Sequence, residues 1–247
     1  ETLDIDLNEN DLICFVGAGG KTTALFRLAK ELKECEKRVL VTTTTAIYSP
    51  DESHCDEVIL GRAEDSDIMT ERIDPCICTL GAEITAEKKL LGVEQHYITQ
   101  LFTKKIVDYI LVEGDGSRQR SVKAPADHEP MIPEGTTKAV GVVGLDVLGT
   151  KIGSSSVHRP EQFCRLTDKA IGDIIDGGAI TKLVLKPEGL FKTVPELVRK
   201  YVLFNKADNS NREKAAKGVV DEIKQEVSNS LNFIIADMLN GKIKKVQ

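Results

Sequence analysis

Short unbroken apolar runs alternate along this chain with stretches of helical period. "DLICFVG" is a run of buried-strand type that ends in a glycine-rich turn. In "KTTALFRLAKELKE", which follows, Ala24, Leu25, Leu28, Ala29 and Leu32 share one helical face. "KRVLVTTTT" is a second buried run. Strand, glycine loop, helix and strand make one βαβ unit, with a right-handed crossover expected. From Ser49 to about Gly92 the texture changes to "DEVILGRA", "PCICTLGAEI" and "KKLLGVE", short pieces that predict a β-rich insertion at about 50–92. Helical period returns over 94–107, and "DYILVEGDGSR" and "TKAVGVVGLDVLG" are a third and a fourth core strand. Further helices are expected around 160–172 and over 210–228, and further strands at "RKYVLFNKAD" and "NFIIAD". "ITKLVLKPEG" reads as a strand or a loop. The alternation predicts an α/β fold, a mainly parallel sheet with helices on both faces, in one domain over residues 1–247.

Composition narrows the function classes. Apolar residues make up 41% of the chain and charged residues 29%, as in a globular protein. No apolar run approaches the roughly 20 residues of a membrane span. The opening "ETLDIDLNEN" is acidic and unlike a signal peptide, so a cytoplasmic location is expected. The net charge of −6, with basic residues dispersed, argues against a nucleic-acid partner. Six scattered cysteines show no paired framework and read as reduced thiols. Cys76 and Cys78 form a C-x-C on an alternating strand, with two half-buried thiols expected.

"FVGAGGKTT" is the most informative stretch. A dinucleotide fingerprint needs a third glycine where Thr22 stands, and an acid where the second strand ends in Thr42–Thr45. A phosphate-binding G-x-x-x-x-G-K-[ST] loop fits at Gly20, Lys21 and Thr22, with Phe15 in place of the first glycine. Gly17, Ala18, Gly19 and Gly20 let backbone amides approach an anion, Lys21 supplies charge to phosphates, and the Thr22 hydroxyl can ligate Mg²⁺. Thr22 and Thr23 open the following helix, whose positive end adds to the site. The fold is therefore expected to be P-loop NTPase-like.

Other polar clusters fall at the same strand ends, where open parallel sheets bind ligands. Glu113 and Asp115 can hold Mg²⁺ or polarise water. A threonine after the second strand, Thr44 or Thr45, can complete the Mg²⁺ shell. Asn205, Lys206 and Asp208 have the N-K-x-D form with which GTP-binding proteins read guanine, so GTP is favoured over ATP. Lys123, His128, Glu129 and Arg159 lie in Pro-bearing loops and can bind an anionic second substrate or serve as acid and base, with His128 foremost.

"VGAGGKTT", "VLVTTTT", "ILVEGDGSR", "KAPADHEPMIP", "VVGLDVLG", "VHRPE", "PEGLFK" and "LFNKAD" occur in this order along the chain. In this series the chain resembles the YqeC family, accessory proteins of selenium-dependent molybdenum hydroxylases. The resemblance implies a nucleotide-dependent role in maturing such an enzyme, with the hydroxylase or its cofactor as partner. A wider likeness to metal-centre maturation proteins with deviant phosphate loops implies a homodimer, but their extra lysine, due near Val16, is missing. Two rival readings stand beside this one: a small-molecule kinase or ligase using ATP or GTP, and a non-catalytic cofactor or selenium carrier.

Overall fold

The computed structural model describes residues 2–61, 74–227 and 230–246. A nine-stranded sheet forms its centre, in the order β13-β12-β11-β9-β1-β7-β2-β5-β4. Its middle strands are the four apolar runs: β1 (Asp11–Gly17), β2 (Val39–Thr43), β7 (Tyr109–Glu113) and β9 (Lys138–Gly144). β11 (Arg199–Asn205) and β12 (Leu231–Asp237) continue the sheet on one side, and β4 (Glu57–Leu60) and β5 (Ile77–Gly81) on the other. Every pairing is parallel except that of β12 with the edge strand β13 (Lys242–Val246). β1 is flanked by β7 and β9, with Phe15 opposite Glu113 and Gly17 opposite Val142.

Side chains alternate across a strand, so β1 feeds two cores. Leu12, Cys14 and Val16 pack on one face with four helices, α2 (Gln95–Thr103), α3 (Pro160–Thr167), α4 (Gly177–Leu185) and α5 (Ser210–Glu226). Ile13 and Phe15 pack on the other against α1 (Lys21–Glu34) through Ala24, Leu25, Ala29 and Leu32. Both faces being covered explains why the strands read as unbroken apolar runs rather than alternating ones.

Several elements differ from expectation. β4 and β5, expected within a separate insertion, extend the main sheet as parallel strands. β3 (Ala46–Tyr48) and β6 (Lys89–Leu91) alone make a small antiparallel sheet there. Residues 62–73 of the expected insertion lie outside the described residues, as does residue 228 at the end of the predicted last helix. Cys76 and Cys78 are buried rather than half-buried, because both point into the core on the face covered by α2–α5. "ITKLVLKPEG" contributes most of helix α4. The Asp176 side chain caps it by accepting from the Ala179 amide at 2.9 Å, and Ala179, Ile180, Leu183 and Val184 are buried. It ends before Pro187, which forces Lys186 into extended backbone (ψ 140°). α3 stops five residues early because Asp168 turns left-handed at φ 59°. Among the described residues no helix is long and apolar enough to cross a membrane.

Candidate functional site

The chain leaves β1 at Gly17 and enters α1 at Lys21. Gly17, Gly19 and Gly20 make this reversal at φ of 88°, 94° and 117°, where a Cβ is strained. A Cβ on Gly19 would also meet the Gly144 nitrogen at 2.3 Å, and one on Gly20 the Asn205 Nδ2 at 2.3 Å. The loop is thus clamped against the ends of β9 and β11. Asn205 secures it: Nδ2 donates to the Gly19 carbonyl at 2.8 Å, and Oδ1 accepts from the Met238 amide at 3.0 Å. No side chain caps the start of α1, and no acid lies in its first turn. Its positive end therefore faces the loop with no capping side chain or acid of the helix's own.

Lys21 is 3% exposed. Its Nζ donates to the Gly17 carbonyl at 2.7 Å and stands 3.0 Å from Asp115 Oδ1 and 3.6 Å from Glu113 Oε1. Burial opposes the charge, but Asp115 and Glu113 outweigh it and the ammonium titrates above its ordinary value. For Glu113 burial prevails, and its carboxyl is raised despite Lys21 and a 2.7 Å bond from the Thr22 hydroxyl. The Glu113 carbonyl accepts from the Thr43 hydroxyl at 2.9 Å and the Thr44 amide at 3.2 Å, which locks the end of β7 to that of β2. Thr44 Oγ1 is buried beside this junction without a hydrogen-bond partner among the described residues.

Asp115 is 1% exposed and sits between two lysines. Its Oδ2 accepts from the Gly17 amide at 3.0 Å and lies 2.9 Å from Lys123 Nζ. Lys123 donates to the Gly116 carbonyl at 2.8 Å and to Glu129 Oε2 at 2.7 Å. Arg159 grips Glu129 with both arms of its fork, at 2.7 and 3.0 Å. An alternating row of Lys21, Asp115, Lys123, Glu129 and Arg159 results. Burial pushes the Glu129 carboxyl up, but Arg159 and Lys123 prevail and hold it at about 2. β8 (Val122–Lys123) pairs with β10 (Val157–His158), which sets His158 opposite Lys123. Burial, aided by the charges of Arg159, Lys123 and Arg118, lowers His158 to about 4, so its ring is neutral at pH 7.

The structure gathers Gly17, Ala18, Gly19, Gly20, Lys21, Thr22, Thr44, Glu113, Asp115 and Asn205 around one loop. Thr23 faces solvent on α1. Lys206, at φ 63°, turns its ammonium to Ser121 Oγ (2.6 Å) and Asp146 Oδ2 (2.8 Å). Asp208 is exposed and accepts from Arg212 at 2.7 Å. His128 is exposed in the loop between β8 and β9. Lys123, Glu129 and Arg159 appear in the sequence as loop residues; only folding makes them an internal row. Arg118, Arg120 and Ser121 carry no expectation from the sequence, although the alternating arginines of "GSRQRS" just past a strand-end acid are a signal.

Among the described residues no three His, Cys, Asp or Glu side chains gather as a metal-ligand set. Mg²⁺ needs fewer, since it keeps waters and is held by one or two carboxylates together with substrate phosphates. Glu113, the Thr22 hydroxyl and the partnerless Thr44 hydroxyl fit such a site.

A family model described as YqeC protein matches residues 13–161. A protein of Escherichia coli (strain K12), named only as uncharacterized protein YqeC, is 36% identical over 201 residues, covering 79% of this chain and 75% of its own length. Among solved structures, FtsY from Mycoplasma mycoides is similar with a TM-score of 0.36 at 11% identity, over 99% of this chain and 67% of that one. That likeness is too slight to carry an argument about function.

Proposed function

This chain belongs to the YqeC family, and from that premise and the loop geometry we propose that it is an Mg²⁺-dependent nucleoside triphosphatase, with GTP preferred. Its work would be to assist maturation of a selenium-dependent molybdenum hydroxylase. One observation carries the reading: a buried, charged Lys21 stands at a glycine loop that opens into an uncapped helix. Lysine has three donors. One is spent on the Gly17 carbonyl, a second faces Asp115, and the third has only Glu113 at 3.6 Å, beyond hydrogen-bond reach. A terminal phosphate can take that third donor without dismantling the site.

The helix amides after Gly20 would hold the remaining phosphate oxygens. Thr22, Thr44 and Glu113 would hold Mg²⁺, which when bound supplies charge neutralisation between phosphates. Asp208, three residues past the loop-clamping Asn205, would read the base.

Calorimetry of GTP and ATP with the wild type, Lys21→Ala and Asp208→Ala tests this reading. Nucleotide affinity should fall about 100-fold in Lys21→Ala, a loss near 3 kcal/mol. It should fall at least about tenfold when Mg²⁺ is chelated. Asp208→Ala should leave ATP affinity unchanged and lower GTP affinity to about that of ATP. Binding of neither nucleotide at submillimolar concentration would sink the proposal, and an ATP preference would remove its guanine part. The maturation role is read separately, from the selenium and molybdenum content of a hydroxylase produced with and without this chain.

A further inference from the structure

Beside the phosphate loop, on the β7 and β2 side, lies a cavity of about 540 Å³. Arg118, Arg120, His158 and Arg159 line it together with Thr45 and Gly116. Its charge is lopsided. Lys21, Lys123 and Arg159 are matched by Glu113, Asp115 and Glu129 within the buried row and its neighbour. Glu129 also reaches the cavity wall, but its two oxygens are spent on Arg159 and Lys123. Arg118 and Arg120 remain. Neither forms an ion pair among the described residues, and Arg120 is steadied by one bond from Nε to the Ser154 carbonyl at 2.6 Å. Two uncompensated guanidiniums therefore face one hollow of a chain whose net charge is −6.

We propose that this cavity binds a small molecule bearing a phosphate monoester, at a site separate from the phosphate loop. A phosphate monoester carries nearly two negative charges at neutral pH and three acceptor oxygens, which matches two planar forks. The volume lies within the roughly 300–1,000 Å³ of small-molecule sites, so it takes the body of the molecule as well as its anionic group. The neutral His158 ring supplies a hydrogen bond without adding charge. The Asp115–Lys123–Glu129 row stands between this cavity and Lys21, and the charge count holds whether or not the loop takes a nucleotide.

Glycerol 3-phosphate is the probe, titrated by calorimetry into the wild type, into Arg118→Gln/Arg120→Gln and into Lys21→Ala. Arg118 is exposed and Arg120 half-buried in a surface loop, so the double variant should melt with the wild type. Saturable binding is expected in the wild type, about tenfold weaker or more in the double variant and retained in Lys21→Ala. Glycerate, with a single negative charge, should bind more weakly than the phosphate ester. Nucleotide binding should be unchanged in the double variant. Absence of saturable binding at millimolar probe would overturn the proposal. So would equal binding by the double variant, or loss of binding in Lys21→Ala, which would place the probe on the phosphate loop. Glycerate binding as tightly as the ester would overturn the phosphate assignment.

Discussion

Glu129 is the residue whose chemistry depends most on its surroundings. Its carboxyl is held at about 2 against an ordinary 4.5, a difference that corresponds to about 3 kcal/mol in so buried a group. Because the folded value is the lower one, this stability is fully present above pH 4.5 and is lost as pH falls toward 2. Glu129→Gln leaves Lys123 and Arg159 with a neutral partner. It should cost about 3 kcal/mol at pH 7 and flatten the acid limb between pH 4.5 and 2, read from urea midpoints across that range. His158 responds to the same local field with the opposite charge type. Its folded value is lowered from 6.5 to about 4, so the unfolded chain takes the proton first and stability declines as pH drops from 6.5 to 4. Imidazole NMR signals should show His158 unprotonated at pH 5.5. Neither shift is legible in "KAPADHEP" or "SVHRPE": His158 is shifted first by its burial, and Glu129 needs Arg159, 30 residues away, beside Lys123.

At the scale of the element, the loop from β1 to α1 shows what local sequence does encode. Gly17, Gly19 and Gly20 stand where the backbone must be left-handed, and both the turn and the helix after it were readable from residues 11–34. Gly19→Ala should cost about 2–4 kcal/mol through strain and the clash with Gly144, and should weaken nucleotide binding. Gly218→Ala is its counterpart. Gly218 lies inside α5 with nothing within 4 Å of an added Cβ, so the substitution should stabilise by roughly 0.5–1 kcal/mol. Thermal or urea unfolding of the two variants should move in opposite directions. α4 shows where local reading stops. In "GGAITKLVL" only Thr181 and Lys182 break the apolar run, and nine residues hold too few turns for helical period to stand out from a buried strand.

The whole molecule has a stable middle and less protected edges. β1, β7, β9 and β11 have strand neighbours on both sides and apolar cores on both faces, whereas β13 closes one edge. Amide exchange should be slowest in those four strands, at the rate of global unfolding, and much faster in β13. Comparable exchange in β13 and β1 would contradict this ordering. The sequence by itself determined the buried strands, the helices of clear period, the phosphate-type loop and the polar clusters at the strand ends, because hydrophobic period and turn chemistry act within a few residues. Which clusters meet was decided by tertiary structure. The order of strands in the sheet brings the ends of β1, β7, β9 and β11 together, joins β4 and β5 to the main sheet, and packs Lys123 and Glu129 into an ion row. Charge pairing, burial and cavity shape depend on distances between segments far apart in the chain, and those distances exist only once the sheet has formed.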